Sequence, residues 1–356
     1  MQQRYFAASN SAQGFKNYYP EVFKRADFLY IIKGGPGTGK SSFMKKCAAV
    51  AEERGFECEY YYCSSDPESL DGVLIFTGDR AIGILDGTPP HVCEPTLPGA
   101  REQILNFSQF WDKELLHSQK NEIISLSERK SAEYKNAYGY LRSVGNLRAV
   151  RDSLLGGVIH KSKMRAAAER LLKFLPDSKG EGELCALPVV TDSVSMCGRV
   201  RLDTFEQNAE RLYLVSDNYG AGELFLDELY ATLSRKSAKA RISYDPVCPS
   251  HVDGIFIEDY NVAFVLRQSL EDKDMPCEAD INEEKLINVK RFLDTEGLRE
   301  IRREIRYTSR LIDNALDSAL HALAKARIYH FLLEDMYGKA MDWKSFGKMK
   351  ADDVLF

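Results

Sequence analysis

The sequence predicts an α/β protein made of two copies of one three-layer αβα domain, each with a mostly parallel sheet and a helical segment behind it. Three observations point there. The apolar run Leu29–Ile32 meets a glycine-rich loop that leads into a helical pattern. Further β-like stretches follow at Glu57–Cys63, Val73–Phe76 and Ala81–Asp86. The same succession then recurs about 182 positions later.

In order along the chain, residues 1 to 28 hold a turn signal at Ser9–Gly14 and aromatics at mixed spacing from Phe15 to Phe23. Aromatics fill cores more often than they read ligands, so packing on the sheet is expected over contact with a base or ribose. Next, Gly34, Gly39, Lys40 and Ser41 fill the fixed positions of G-x-x-x-x-G-K-[ST], the phosphate-binding P-loop. Gly34, Gly35, Pro36, Gly37 and Thr38 form the loop, and Gly39, Lys40, Ser41 and Ser42 turn it into the helix. Glycines admit positive φ and let the backbone approach an anion. Successive N–H groups and the helix N-terminus make a positive concavity. Lys40 can reach the β/γ-phosphates of ATP or another nucleoside triphosphate, and the Ser41 hydroxyl can ligate the accompanying Mg²⁺.

Residues 42 to 54 read as a helix with one apolar face, closed by Gly55. Asp66 falls just past the strand Glu57–Cys63, at the end where α/β sheets bind ligands. Ala81–Asp86 resembles a Walker B strand that delivers Asp86 as the second Mg²⁺ ligand. The sequel Gly87-Thr-Pro-Pro-His91 supplies no neighbouring acid to polarise water. From 101 to 175 the pattern reads as helical, with a basic stretch over 141–173 that suits a solvated face, a lid or a docking surface. Pro176–Gly182 reads as a linker.

Leu212–Glu223 follows Leu29–Lys40 by 183 positions, Asp253-Gly254 follows Asp71-Gly72 by 182, and Val262–Arg267 follows Ala81–Asp86 by 181. Four such anchors, Asn288, Phe292 and Asp294 after Asn106, Phe110 and Asp112 included, mark a tandem duplication. The expected domains are 1–180, with helical extension 101–175, and 181–356, with helical extension 281–340. In this alignment Glu223 stands for Lys40, Leu224 for Ser41, Asp217 for Gly34 and Arg267 for Asp86. The second copy is therefore degenerate: like charge in an anion cradle opposes phosphate. Asp71, shared with Asp253, reads as structural. Asp66, which aligns near Cys248, reads as a water-orienting carboxylate. His91, with no histidine counterpart, carries little by itself.

The P-loop, Ser65-Asp66-Pro67…Leu70-Asp71-Gly72, Leu85-Asp86-Gly87-Thr88-x-Pro-His91 and the duplication together resemble a bacterial family of tandem P-loop NTPases, usually labelled ATPase or nucleotide kinase. The resemblance spans nearly the whole chain and implies nucleotide binding and a cytoplasmic location. This chain departs from it in the second loop.

Composition narrows the rest. A length of 356 residues suits about two domains. A net charge of −5 exerts no general pull on nucleic acid or acidic membranes. No apolar run approaches a membrane span, and eight cysteines without a CxxC pair read as reduced thiols of a cytoplasmic protein. The expected function is Mg²⁺-dependent ATP binding at one competent site, with slow hydrolysis catalysed by Lys40, Asp66 and Asp86. A small-molecule or nucleotide kinase and a nucleotide-gated scaffold are the alternatives. Expected partners are the nucleotide and, within the chain, the other repeat, which could lend an arginine; a protein partner is compatible. Glu223→Ala is expected to leave binding nearly unchanged.

Overall fold

The computed structural model describes residues 3–178, 184–267 and 283–355. It contains two six-stranded mixed sheets, mostly parallel, each followed by helices. The first sheet runs Gln3–Phe6, Glu57–Tyr62, Leu70–Phe76, Ala81–Asp86, Phe28–Lys33, Glu102–Asn106. Only Leu70–Phe76 runs against its neighbours. The second sheet has the same order and sense: Leu184–Val189, Ala238–Tyr244, Val252–Ile257, Val262–Arg267, Arg211–Ser216, Glu283–Ile287. Even the register break between Tyr61 and Tyr62 recurs between Ser243 and Tyr244.

The helical extensions begin later than expected. Glu102–Asn106 and Glu283–Ile287 are edge strands beside Phe28–Lys33 and Arg211–Ser216. An edge strand has one neighbour and much solvent: Gln103, Ile104 and Asn106 are exposed. Its side chains therefore carry none of the apolar alternation that marks a strand in sequence. The N-terminal arm also forms strands. Gln3–Phe6 closes the far edge of the first sheet, and Ala8–Ser11 and Gly14–Asn17 form a hairpin. Tyr5, Phe6, Tyr18, Tyr19 and Phe23 are buried, so the arm's aromatics do pack.

Each sheet carries its longer helices on one face. Lys40–Glu53 sets Phe43, Met44, Cys47 and Ala48 on Ile32, Val73, Ile75 and Ile84. The opposite faces of the two sheets turn toward each other across two short helices, Tyr19–Phe23 and Thr204–Asn208. Phe23, Leu29, Ile31, Leu74 and Leu85 share one core with Phe205, Leu212, Phe256, Ala263 and Val265. The three-layer sandwich expected of each half is thus completed by the other half.

The boundary at 180 divides the repeats, but packing crosses it. Lys120–Gly156 and Thr295–Lys339 lie antiparallel along each other. Single antiparallel bridges tie them at both ends, Trp111 to Met341 and Ile159 to Leu293. Each helix carries its tail onto the other sheet. Met164, Ala167 and Ala168 of helix Lys161–Leu171 join Phe225 and Leu229. Ala351, Val354 and Leu355 join Phe43 and Met44. Within the expected linker Pro176–Gly182, residues 179–182 lie outside the described residues. No helix among the described residues is long and apolar enough to cross a membrane.

Candidate functional site

The glycine-rich loop, residues 34–39, leaves strand Phe28–Lys33 and enters helix Lys40–Glu53 through Gly39, whose φ is +85°. At the head of that helix Lys40 Nζ donates to the carbonyls of Gly35 (2.7 Å) and Gly34 (3.2 Å). It also lies 3.3 Å from Asp86 Oδ2, with both side chains nearly buried. Asp86 ends the neighbouring strand, level with Ile32. Its other oxygen accepts from the Thr88 N–H (2.9 Å) and hydroxyl (2.6 Å). The Ser41 hydroxyl oxygen accepts from Leu70 N–H at 2.9 Å.

Beneath Asp86 lies a buried ion pair. His91 Nδ1–H donates to the Asp86 carbonyl at 2.8 Å, and Nε2 lies 3.0 Å from Asp71 Oδ2. One nitrogen faces a carbonyl and the other a carboxylate, so both carry protons. Burial opposes that charge, but Asp71, with help from Asp86, outweighs it and lifts the imidazole to about 9. Burial likewise works to raise Asp71, and the His91 charge holds it below the usual carboxylate range. Asp71, read from sequence as a turn residue, and His91, read as weak, together pin the strand end that presents Asp86.

These groups open into a cleft of about 1370 Å³. Gly34, Pro36, Gly37, Thr38, Gly39, Lys40, Ser41, Ser42, Asp66 and Asp86 all line it, so the structure brings the expected residues together; Gly35 contributes its carbonyl to Lys40. One wall is Lys120–Gly156, with Lys130, Tyr134 and Tyr138. Another comes from the second half: His330, Glu334 and Trp343. The loop glycines are fitted to this wall. A Cβ at Gly35 would lie 2.6 Å from the Tyr337 ring, and one at Gly39 2.9 Å from Phe346. Burial, then the Glu334 charge, raises the Asp66 carboxyl above its ordinary range. Burial also lowers the Lys130 ammonium against the pull of Glu334.

The second loop is built differently from its alignment. It holds four residues, 217–220, against six in the first, 34–39. Gly220, at φ +92°, caps its helix as Gly39 does, so Ala221 stands where Lys40 stands and Glu223 where Ser42 stands. Strand register likewise puts Leu266, not Arg267, in the place of Asp86, because Leu266 pairs with Val215 as Asp86 pairs with Ile32. Insertions too short to disturb a constant offset misplace side chains by one or two positions.

That second cradle is filled by protein. Arg151 crosses from the first half, 2.3 Å from where a Gly220 Cβ would be, and bonds Glu223 at 2.7 Å. Arg148 Nη2 lies 2.6 Å from the Glu223 carboxylate as an ion pair, and Nη1 donates to Asp245 at 2.8 Å. Asp217 accepts from Gly222 N–H at 3.0 Å, and burial plus the Glu223 charge push it up to about 6. Arginines do cross between halves, but into the loop of the second half. Of the basic stretch 141–173, Arg148 and Arg151 are buried plugs, while Arg142 lines the cleft and Lys161 is exposed.

A signal for the crossing wall was present in the chain. Ser9-x-Ser-x-x-Gly14 recurs as Ser193-x-Ser-x-x-Gly198. Both are hairpins whose tips reach across, Ala12 N–H to Val247 O (2.8 Å) and Met196 N–H to Ser65 O (2.9 Å). No family model, curated protein or solved structure matches the chain.

Proposed function

We propose that the first half binds a Mg²⁺-complexed nucleoside triphosphate, with ATP as the first to test, and hydrolyses it slowly. In this reading both sheets are P-loop NTPase-like and the second has lost the chemistry. The observation that supports it most is the placing of Lys40 Nζ, between the Gly34 and Gly35 carbonyls and Asp86, at the N-terminus of a helix. An ammonium, a run of loop N–H groups and a helix N-terminus are what a triphosphate needs. Asp86 and the Ser41 hydroxyl would hold Mg²⁺. One carboxylate and one hydroxyl suit a cation that keeps several waters and takes other oxygens from phosphate. The metal would neutralise charge on the phosphates.

The chain's own groups do the remainder. Lys40 and the loop N–H groups stabilise the charge of the transferring phosphoryl group. The His91–Asp71 pair fixes Asp86. Asp66 takes a proton from water as the water oxygen bonds to the γ-phosphorus and the bond to the β–γ bridging oxygen breaks, giving the nucleoside diphosphate and inorganic phosphate. The raised Asp66 carboxyl is in keeping with that task.

One observation favours phosphoryl transfer to a second molecule. The cleft, at about 1370 Å³, exceeds the ~300–1,000 Å³ usual for one small ligand. Titration calorimetry with Mg-ATP, then phosphate release by wild type and Lys40→Ala, tests the main reading. Binding that survives Lys40→Ala unchanged would sink it. Label that moves from ATP to an added acceptor faster than to water would select the kinase.

A further inference from the structure

The loop of the first half packs against a glutamate that belongs to the second. Glu334 sits near the end of helix Thr295–Lys339. Its backbone presses on Gly37: a Cβ there would lie 2.6 Å from the Glu334 carbonyl oxygen and 2.8 Å from its Cα. Its side chain is about one-third exposed and lines the cleft beside Lys40 and Asp66. Burial works to raise that carboxyl, and the nearby His330, Gly37 N–H and Lys40 together hold it below its ordinary range. His330 Nε2 lies 3.5 Å away. Gly37 N–H and Lys40 are donors that a phosphate chain would claim. The groups facing Glu334 are Lys40 from the loop helix, Lys130 from helix Lys120–Gly156, Asp66 from the first half and His330 on its own helix. The degenerate loop shows the same device in permanent form, with the Asp217 carboxylate on the Gly222 N–H.

We propose that Glu334 is a specificity-determining residue that holds the loop's phosphate donors as a resident anion and so discriminates against anions that arrive without a metal. The proposal rests on the nucleotide reading above. A metal-free triphosphate meets the carboxylate with like charge at close range, where a single charge matters most. A Mg²⁺-complexed nucleotide carries less net charge and meets less of it. Glu334 thereby couples recognition in the first half to a helix of the second.

The test titrates the full chain with ATP in EDTA and with ATP in excess Mg²⁺, using wild type, Glu334→Gln and Lys40→Ala. Glutamine keeps the shape and removes the charge. Glu334→Gln should tighten metal-free binding by about tenfold or more, and Mg-ATP binding by less than about threefold. An equal change in both conditions, or weaker Mg-ATP binding that would make Glu334 a metal or phosphate-side ligand, overturns the proposal. Should Glu334→Gln melt early, Glu334→Ala carries the same expectation. If wild type binds ATP, Lys40→Ala does not and Glu334→Gln keeps the wild-type ratio, the proposal alone fails. If none of the proteins binds ATP in either condition, the nucleotide reading fails with it.

Discussion

Phe6 and Val190 exchange both backbone hydrogen bonds, Phe6 N–H to Val190 O at 2.8 Å and Val190 N–H to Phe6 O at 3.0 Å. Phe6 ends the edge strand of the first sheet and Val190 directly follows that of the second, so this pair marks an internal two-fold axis. The bridges Trp111–Met341 and Leu293–Ile159 exchange under the same operation, as do the hairpin-tip contacts of Ala12 and Met196. The halves are related as two subunits would be, with a shared core between them.

Neither half should therefore fold alone. Residues 1–180 lack the tail 346–355 that covers Phe43 and Met44, and residues 184–356 lack helix Lys161–Leu171. Each fragment, expressed separately, should aggregate or show molten near-UV circular dichroism, and co-expression should recover a one-to-one complex. A sharp, independent melting transition from 1–180 would contradict the shared core.

Glu223, which the sequence presents as idle, holds two buried guanidiniums. Glu223→Ala should cost about 3–5 kcal/mol, since it leaves buried charge uncompensated. Urea denaturation measures this. Stability within about 1 kcal/mol of wild type would mean that Arg148 and Arg151 find other partners.

Stability should fall as pH rises through the alkaline range. His91 carries its charge up to about 9 in the fold and to ~6.5 when unfolded. Its contribution, about 3 kcal/mol at full strength, is complete below ~6.5 and lost between there and about 9. His251, raised to about 10 by Asp152 and Asp227 against burial, adds a loss of the same sign. Asp71, held low, contributes above the ordinary carboxylate range and loses that contribution as acid protonates it. Melting temperature against pH for wild type and His91→Gln checks this: the variant should be less stable near neutrality and flatter toward pH 9. Parallel curves would refute the charged pair.

Gly35 tests whether the second half braces the loop. Its Cβ would lie 2.6 Å from Tyr337, so Gly35→Ala should cost about 1–3 kcal/mol as overpacking. Tyr337→Ala should recover part of that loss in the double variant. Purely additive losses would show that the loop does not lean on this ring.

Much of this was readable in the chain because the residues concerned act locally. The loop from Gly34 to Ser41 has its chemistry written in consecutive positions, and the strand bearing Asp86 ends where its apolar run ends. The repeat exposed two equivalent sheets. Edge strands stayed hidden because solvent-facing residues such as Gln103 need no apolar pattern. Glu334, His330 and Lys130 stayed hidden for a different reason: nothing at their own positions in a long polar helix says what lies across from them. The Arg148–Glu223 pair escaped likewise, since its partners are far apart in sequence and only the crossed helices bring them together.

The crossing of the tails bears on ancestry and stoichiometry. A lone repeat of this kind leaves its sheet uncovered, and two identical chains cover each other by reciprocal exchange, a closed and self-limiting dimer. In such a homodimer every substitution strikes both cradles at once. Joining the copies into one polypeptide frees them to diverge, so that one seat can be filled for good by Arg148 and Arg151 while the other stays open. Of the two loops in this molecule, the first faces an open cleft and the second is occupied by guanidiniums, so the lost symmetry is what tells one from its twin.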